Sequence, residues 1–124
     1  MPTPQPAKSS VTYRLDLDRR GPIAVVKLAG SVNMDVCDEV RDQLIELVDE
    51  KPTKHLVLDL SELDFICSIG LGGIIAAHVR CRHQQGGVRL VSPKPDIEEL
   101  LSVTKLSKLF PIYDSVEQAV AANS

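Results

Sequence analysis

Residues 60–73, LSELDFICSIGLGG, decide the architecture because they join a run typical of a strand to a run typical of a helix. Residues 55–60 are mostly apolar, which favours a short strand in the middle of a sheet. Residues 70–85 are predicted to form a helix that a pair of glycines closes. The acidic residues between positions 59 and 64 are expected to bracket a turn. The segment therefore predicts a strand–turn–helix unit with Ser68 at the junction.

Strand and helix patterns alternate along the rest of the chain as well. Polar and apolar residues alternate over residues 11–18, and a turn then leads to an apolar run at 23–28, so these strands are expected to form a hairpin that Gly30 ends. Asn33 is predicted to cap a helix that ends at Pro52. The remaining predicted elements are a strand at 88–91, a helix at 96–103, a helical turn at 106–109, a strand at 111–113 and a helix at 116–122 capped by Ser115.

The element order β-β-α-β-α-β-α-β-α predicts an α/β fold. Parallel crossovers in such an order imply a mixed sheet with about four helices, mainly on one face. A chain of 124 residues is expected to form one domain. Residues 1–10, rich in proline and serine, are expected to be a flexible N-terminal tail, and residues 11–122 to form the domain.

The composition limits what the protein can bind. A net charge of −3 and a pI near 5.5 argue against nucleic acid as the partner. The longest apolar runs fall short of a membrane span, and residues 1–10 lack the apolar core of a signal peptide. Three cysteines, Cys37, Cys67 and Cys81, lack framework spacing, which indicates reduced thiols and a cytoplasmic location. Aromatic residues amount to 3%, too few for a platform that stacks bases.

Ser68 is the residue with the clearest possible role. At the start of a helix its hydroxyl could cap the free amides of the first turn, which is a purely structural role. The same position is electropositive and exposed, so the helix would also tolerate a phosphate there. On a surface that binds a partner, this charge would oppose docking.

Other chemistry is less well supported. Gly70, Gly72 and Gly73 could allow close packing or make room for a partner's backbone, but they complete neither a P-loop nor a dinucleotide motif, and no cofactor is implied.

Cys67 could be reactive near a helix N-terminus, although a buried role is commoner. His78, Cys81 and His83 are interrupted by arginines and are interpreted as a polar, partly basic helix face, not a metal site. No set of residues indicates catalysis, so no enzyme is predicted.

Two motifs and the element order resemble those of the STAS domain, the family of bacterial anti-sigma factor antagonists. The first motif is KLAGSVN at residues 27–33, and the second and more specific one is LVLDLSELDFICSIGLGGII at residues 56–75. Residues 88–120 also resemble the C-terminal half of the family. The resemblance covers residues 11–122 and implies the family's mixed sheet.

The resemblance implies a role in partner switching. Such proteins bind a GHKL-type serine kinase that is also an anti-sigma factor, and this binding frees the sigma factor for transcription. The kinase then phosphorylates a serine at the start of the second helix, and a PP2C-type phosphatase restores the serine. The family motif Asp-Ser-Ser/Thr-Gly-Leu-Gly puts this serine at Ser68. The partner-binding face is then expected to include Ser31, Asn33, Ile66, Cys67, Ser68, Ile69, Gly70, Leu71 and Gly72, together with the exposed side of the second helix.

Three positions depart from the family pattern. Cys67 replaces the aspartate before the serine, Ile69 replaces the serine or threonine after it, and Asn33 stands where an aspartate is frequent. One alternative is therefore a STAS module that binds its partner constitutively, as a signalling scaffold or a subunit of a lipid-transport complex. Two further alternatives are a nucleotide or small-molecule binder at the helix N-terminus and a thiol sensor that uses Cys67.

Overall fold

A computed structural model of the protein describes residues 12–122, so the predicted tail at residues 1–10 lies outside the described residues. The strands are β1 Tyr13–Arg20, β2 Ile23–Val32, β3 His55–Asp59, β4 Leu63–Ile66, β5 Gly87–Val91 and β6 Ile112–Tyr113. The helices are α1 Cys37–Glu50, α2 Ser68–Arg82, α3 Pro95–Val103 and α4 Val116–Ala121, with a 3₁₀ turn at Leu106–Lys108. The predicted helix 116–122 is confirmed, and the Ser115 hydroxyl accepts a hydrogen bond from the Gln118 amide at 3.1 Å.

The six strands form one mixed sheet; a mixed sheet was predicted, but with five strands. The strand order is β1-β2-β3-β5-β6, in which β1 is antiparallel to β2 and every other pairing is parallel. A large cluster of buried aliphatic side chains lies between one face of the sheet and α1, α2 and α3. Of the described helices, only α4 covers the opposite face, where Ala119 packs on Val25, Val57 and Val91. The helices therefore lie mainly on one face, as expected.

The strand β4 was not predicted, because its residues were interpreted as a turn. Its burial pattern runs buried, exposed, exposed, buried, so it lacks the alternation of a half-buried strand. It pairs with the last three residues of β2 through Gly30↔Leu63, Ser31↔Phe65 and Val32↔Ile66. The carboxyl ends of β2 and β4 thus lie side by side, and α1 and α2 both begin just beyond them.

Gly30 does not end β2, contrary to the prediction. The strand continues to Val32, and its register shifts between Gly30 and Ser31 where β2 changes partner from β3 to β4. Gly30 has φ +88°, and a Cβ at this position would lie 2.4 Å from the Thr12 carbonyl oxygen. Glycine is required at this bulge because other residues would be both strained and obstructed.

Asn33 is not the cap of α1, because the helix begins four residues later, at Cys37. The Asn33 side chain instead accepts a hydrogen bond from the Asp35 amide at 2.9 Å. The backbone carbonyl of Asn33 accepts a second one from the Cys37 amide at 2.9 Å. Asn33 therefore forms an Asx turn that leads the chain from β2 into α1.

The interpretation of residues 78–83 as a polar helix face was wrong for two of its members. His78 is buried, accepts a hydrogen bond from the Val88 amide at 3.1 Å and packs edge-on against Phe110 with ring centroids 5.2 Å apart. Cys81 is fully buried in the same core. These side chains pack between α2 and the rest of the core and do not face solvent.

Two buried histidines make stability depend on pH. Burial lowers the pKa of His55, with Arg89 and Lys54 adding to the effect, and burial lowers the pKa of His78, with Arg82 adding to it. The unfolded histidines, with pKa values near 6.5, therefore take up protons first as the pH falls. The contribution of the two histidines to the free energy of unfolding is fully present above about pH 6.5. It is lost as the pH falls toward their pKa values in the folded protein, by up to about 1.4 kcal/mol per pH unit for each histidine.

Urea unfolding followed by circular dichroism, from about pH 7.5 to pH 5, measures this slope. The variant His78→Gln is expected to show a shallower slope than the wild type, because it removes one of the two buried histidines. A free energy of unfolding that stays constant over this range would contradict the prediction.

Candidate functional site

The candidate site is the turn from β4 into α2. Cys67 is the N-cap of α2 in an extended conformation, and Ser68 is the first helical residue. The Ser68 hydroxyl does not cap the helix, because no side-chain cap hydrogen bond is formed at this helix start. The Ser68 side chain is exposed, while its neighbours Ile66 and Cys67 are buried. The turn therefore presents the Ser68 hydroxyl to solvent.

The helix start gives Ser68 a positive electrostatic environment. The first helical hydrogen bond of α2 runs from the Leu71 amide to the Cys67 carbonyl at 3.0 Å, so the amides before Leu71 have no partner inside the helix. No acidic side chain lies in the first turn of α2, all of which the structure describes. The partial positive charge of the helix end is therefore not neutralised by a neighbouring carboxylate.

The Cys67 thiol occupies the place of a capping side chain. Its sulfur forms no side-chain cap hydrogen bond. Burial alone would raise the pKa of Cys67, but the neighbouring Cys37 thiol and the amides of the first turn outweigh burial, so the pKa lies below its usual value. A sulfur thus stands where helix starts usually have an oxygen.

The nine residues predicted for the partner-binding face fall into two groups. Ser68 and Gly72 are exposed, and Ser31, Asn33 and Ile69 are half-buried, so these five offer surface around the turn. The other four lie in the core and support the turn from below; they are Ile66, Cys67, Gly70 and Leu71. All nine belong to the joined ends of β2 and β4 or to the first turns of α2.

Two exposed apolar side chains at this end of the sheet were missed by the sequence prediction. Phe65 is 50% exposed in β4, opposite Ser31 of β2, and Met34 is 71% exposed in the turn after Asn33. Large exposed apolar groups beside a polar rim are typical of protein-binding surfaces. The sequence feature that could have drawn attention to Phe65 is the scarcity of phenylalanine, of which the chain contains two.

The three glycines of α2 have different surroundings. A Cβ on Gly73 would lie 2.7 Å from the Arg41 Cα of α1, and one on Gly70 would lie 2.7 Å from the Ile66 side chain. A Cβ on Gly72 would meet no atom within 4 Å. Gly70 and Gly73 are therefore explained by packing, whereas Gly72 has no such reason in the isolated chain.

Three further features of the described residues bear on other functions. Within residues 12–122, no three histidine, cysteine or acidic side chains are grouped so that they could hold a metal ion. None of the described helices is long and apolar enough to cross a membrane. An open groove on α1 is lined by Ile45 and by four acidic residues, Asp42, Glu46, Asp49 and Glu50. This groove would repel an anionic nucleotide.

Comparisons with known proteins agree on one family. The family model described as the STAS domain matches residues 14–119. The anti-sigma F factor antagonist of Paenibacillus polymyxa is 28% identical over 110 residues, which cover 89% of this chain and 94% of that protein. The putative anti-sigma factor antagonist BtrV of Bordetella bronchiseptica is 31% identical over 109 residues, which cover 88% of this chain and 93% of that protein.

A solved structure shares the fold at lower identity. The anti-sigma factor antagonist SpoIIAA in its unphosphorylated form superposes with a TM-score of 0.77 at 16% identity, over 86% of this chain and 93% of that chain. The order of strands and the position of the helix after β4 are thus those of a known architecture.

Proposed function

The chain belongs to the STAS domain family, and from this premise we propose that it is an anti-sigma factor antagonist whose binding is switched by phosphorylation of Ser68. Two relatives that match over most of their length are named as an anti-sigma F factor antagonist and a putative anti-sigma factor antagonist. The partner is an anti-sigma factor that is also a GHKL-type serine kinase. Binding occupies this partner and releases a sigma factor, so the protein regulates transcription in the cytoplasm as a substrate and not as an enzyme.

The exposure of Ser68 at the first residue of α2 carries the proposal. The hydroxyl makes no cap hydrogen bond that a phosphate would have to break. A phosphate adds a charge of roughly −1.5 to −2, which the free amides and the positive end of the helix stabilise. The fold therefore accepts the modification at little cost.

The surroundings of Ser68 explain why the phosphate would release the partner. Phe65 and Met34 are exposed and Ile69 is half-buried, so apolar side chains contribute to the surface at this end of the sheet. A docked partner excludes water from such a surface, and a phosphate held there loses its hydration. Unless the partner supplies a cation, the phosphorylated complex is much weaker than the unmodified one.

Intact-mass spectrometry of the protein isolated from its native cells tests the proposal. We expect a single phosphate on the wild type and none on Ser68→Ala. A matched control is Ser61→Ala, because Ser61 is equally exposed in the preceding turn and its removal should leave the phosphate in place. The added phosphate should disappear on treatment with a PP2C-type phosphatase.

The absence of phosphate under every growth condition would overturn the switch. A constitutive STAS binding module would then be the better description, and the positions that favour it are Cys67, Ile69 and Asn33, which replace polar or acidic residues of the family pattern. Stable co-purification of the unphosphorylated protein with scaffold or transporter subunits would support that second candidate.

A further inference from the structure

Two cysteines that are distant in sequence meet at the joined ends of β2 and β4. Cys37 is the first residue of α1, and its amide donates to the Asn33 carbonyl at 2.9 Å. Cys67 is the N-cap of α2, and its amide donates to the Val32 carbonyl at 3.0 Å. Because Val32 and Asn33 are consecutive, these two hydrogen bonds fix both cysteines to the same short piece of backbone.

The two thiols influence each other. The Cys37 thiol donates to the Met34 carbonyl at 3.6 Å, and each of the two cysteines shifts the pKa of the other. A thiolate on Cys67 would lie at the positive end of α2, and no disulfide joins the pair in this structure.

The three cysteines differ in reactivity. The hydrogen bond to Cys67, followed by burial, raises the pKa of Cys37, whereas the donors around Cys67 lower the pKa of that thiol. Burial raises the pKa of Cys81 to about 11. Cys67 also retains 7% of its surface exposed, against 1% for Cys37 and none for Cys81. Cys67 is thus the thiol that an oxidant meets first and in its nucleophilic form.

We propose that Cys67 and Cys37 form a peroxide-responsive dithiol that closes to an intramolecular disulfide. The Cys67 thiolate attacks one oxygen of a hydroperoxide, and the O–O bond breaks. The departing oxygen takes up a proton and leaves as water or an alcohol. Cys67 is then a sulfenic acid. The Cys37 thiol attacks this sulfur, the S–O bond breaks and a second molecule of water leaves. Both sulfurs are oxidised, and the peroxide supplies the two oxidising equivalents.

The position of the two cysteines favours this closure over other outcomes. Because their amides are bound to the consecutive carbonyls of Val32 and Asn33, Cys37 can resolve the sulfenic acid inside the molecule before a second chain can react. Cys81 lies in the core on the last turn of α2, far along the helix from Cys67, and cannot compete. The bond would tie the start of α1 to the residue before Ser68. The proposal does not depend on phosphorylation of Ser68.

Peroxide treatment of the reduced, folded protein tests the proposal. After the reaction the protein is denatured, alkylated with N-ethylmaleimide and mapped by mass spectrometry. We expect the wild type to lose two hydrogen atoms and to take up one maleimide, at Cys81, where the reduced protein takes up three. Dithiothreitol should restore all three sites. The disulfide should form at least ten times faster than any oxidation of Cys81.

Variants separate the two steps. Cys81→Ser should form the same disulfide at the wild-type rate. Cys37→Ser should stop at a sulfenic acid on Cys67, which dimedone traps. Three maleimides on the treated wild type, oxidation of Cys81 before Cys67, or disulfide-linked dimers in place of the internal bond would each overturn the proposal. These three contrary outcomes are all read on the wild type, so they decide the proposal even where a variant fails to fold.

Discussion

Phosphorylation of Ser68 is expected to weaken binding to the anti-sigma factor kinase by about a hundredfold, corresponding to about 3 kcal/mol at about 1.4 kcal/mol per factor of ten. The cost arises because the phosphate would be buried against an apolar surface to which Phe65, Met34 and Ile69 contribute. Ser68→Asp, with a single charge, should weaken binding at least tenfold. Ser68→Ala should bind as tightly as the unmodified wild type.

The stability of the Ser68→Asp variant distinguishes this effect from unfolding. An acidic residue in the first turn of a helix stabilises it by about 0.3–1 kcal/mol. The variant should therefore unfold at the same or slightly higher denaturant concentration than the wild type, even though it binds more weakly. Few substitutions combine these two effects, and the combination follows from the position of Ser68 at the helix start.

The kinase that co-purifies with a Ser68→Ala bait can serve as the binding partner in a titration by biolayer interferometry. A neighbouring control is Ser61→Asp, which adds the same charge at an exposed position in the turn before β4. Equal affinities for Ser68→Asp and the wild type would contradict the prediction, as would equal weakening by Ser61→Asp, since the effect would then be one of net charge alone.

The strands and helices that carry a local pattern could be predicted from the sequence. The alternation of strand and helix identified the α/β fold, and Ser68 was placed correctly at a strand–helix junction, because these features depend on neighbouring residues. β4 carries no such pattern, since only its two end residues are buried. β4 forms by pairing with the last three residues of β2, but the sequence predicted that β2 ends at Gly30.

The components of the site that were missed all depend on contacts between distant residues. Gly30 reads locally as a strand breaker, yet the sheet uses it as a bulge at which β2 exchanges β3 for β4. That exchange brings Cys37 and Cys67 together across thirty positions of sequence. It also holds Phe65 on the exposed side of β4, whereas a phenylalanine in an apolar run would be expected in the core.

Gly72 and Gly73 are expected to respond in opposite directions to the same substitution. Gly72→Ala should raise the free energy of unfolding by about 0.5–1 kcal/mol, because alanine is the better helix former and its methyl group meets no atom within 4 Å. Gly73→Ala should lower it by about 1–2 kcal/mol, because its Cβ would lie 2.7 Å from the Arg41 Cα and force α1 away from α2. Urea unfolding of both variants measures the two changes.

Binding of the same two variants shows why a destabilising glycine is present at an exposed position. A methyl group on Gly72 would stand one helical turn beyond Ser68 on the surface proposed to receive the partner, and we expect it to weaken binding by about tenfold. Gly72→Ala would then be more stable and less functional, which is the behaviour of a residue kept small for a partner's backbone. Unchanged affinity in the stabilised variant would mean that the partner does not cover Gly72, and the binding surface would have to be placed nearer to Phe65 and Met34.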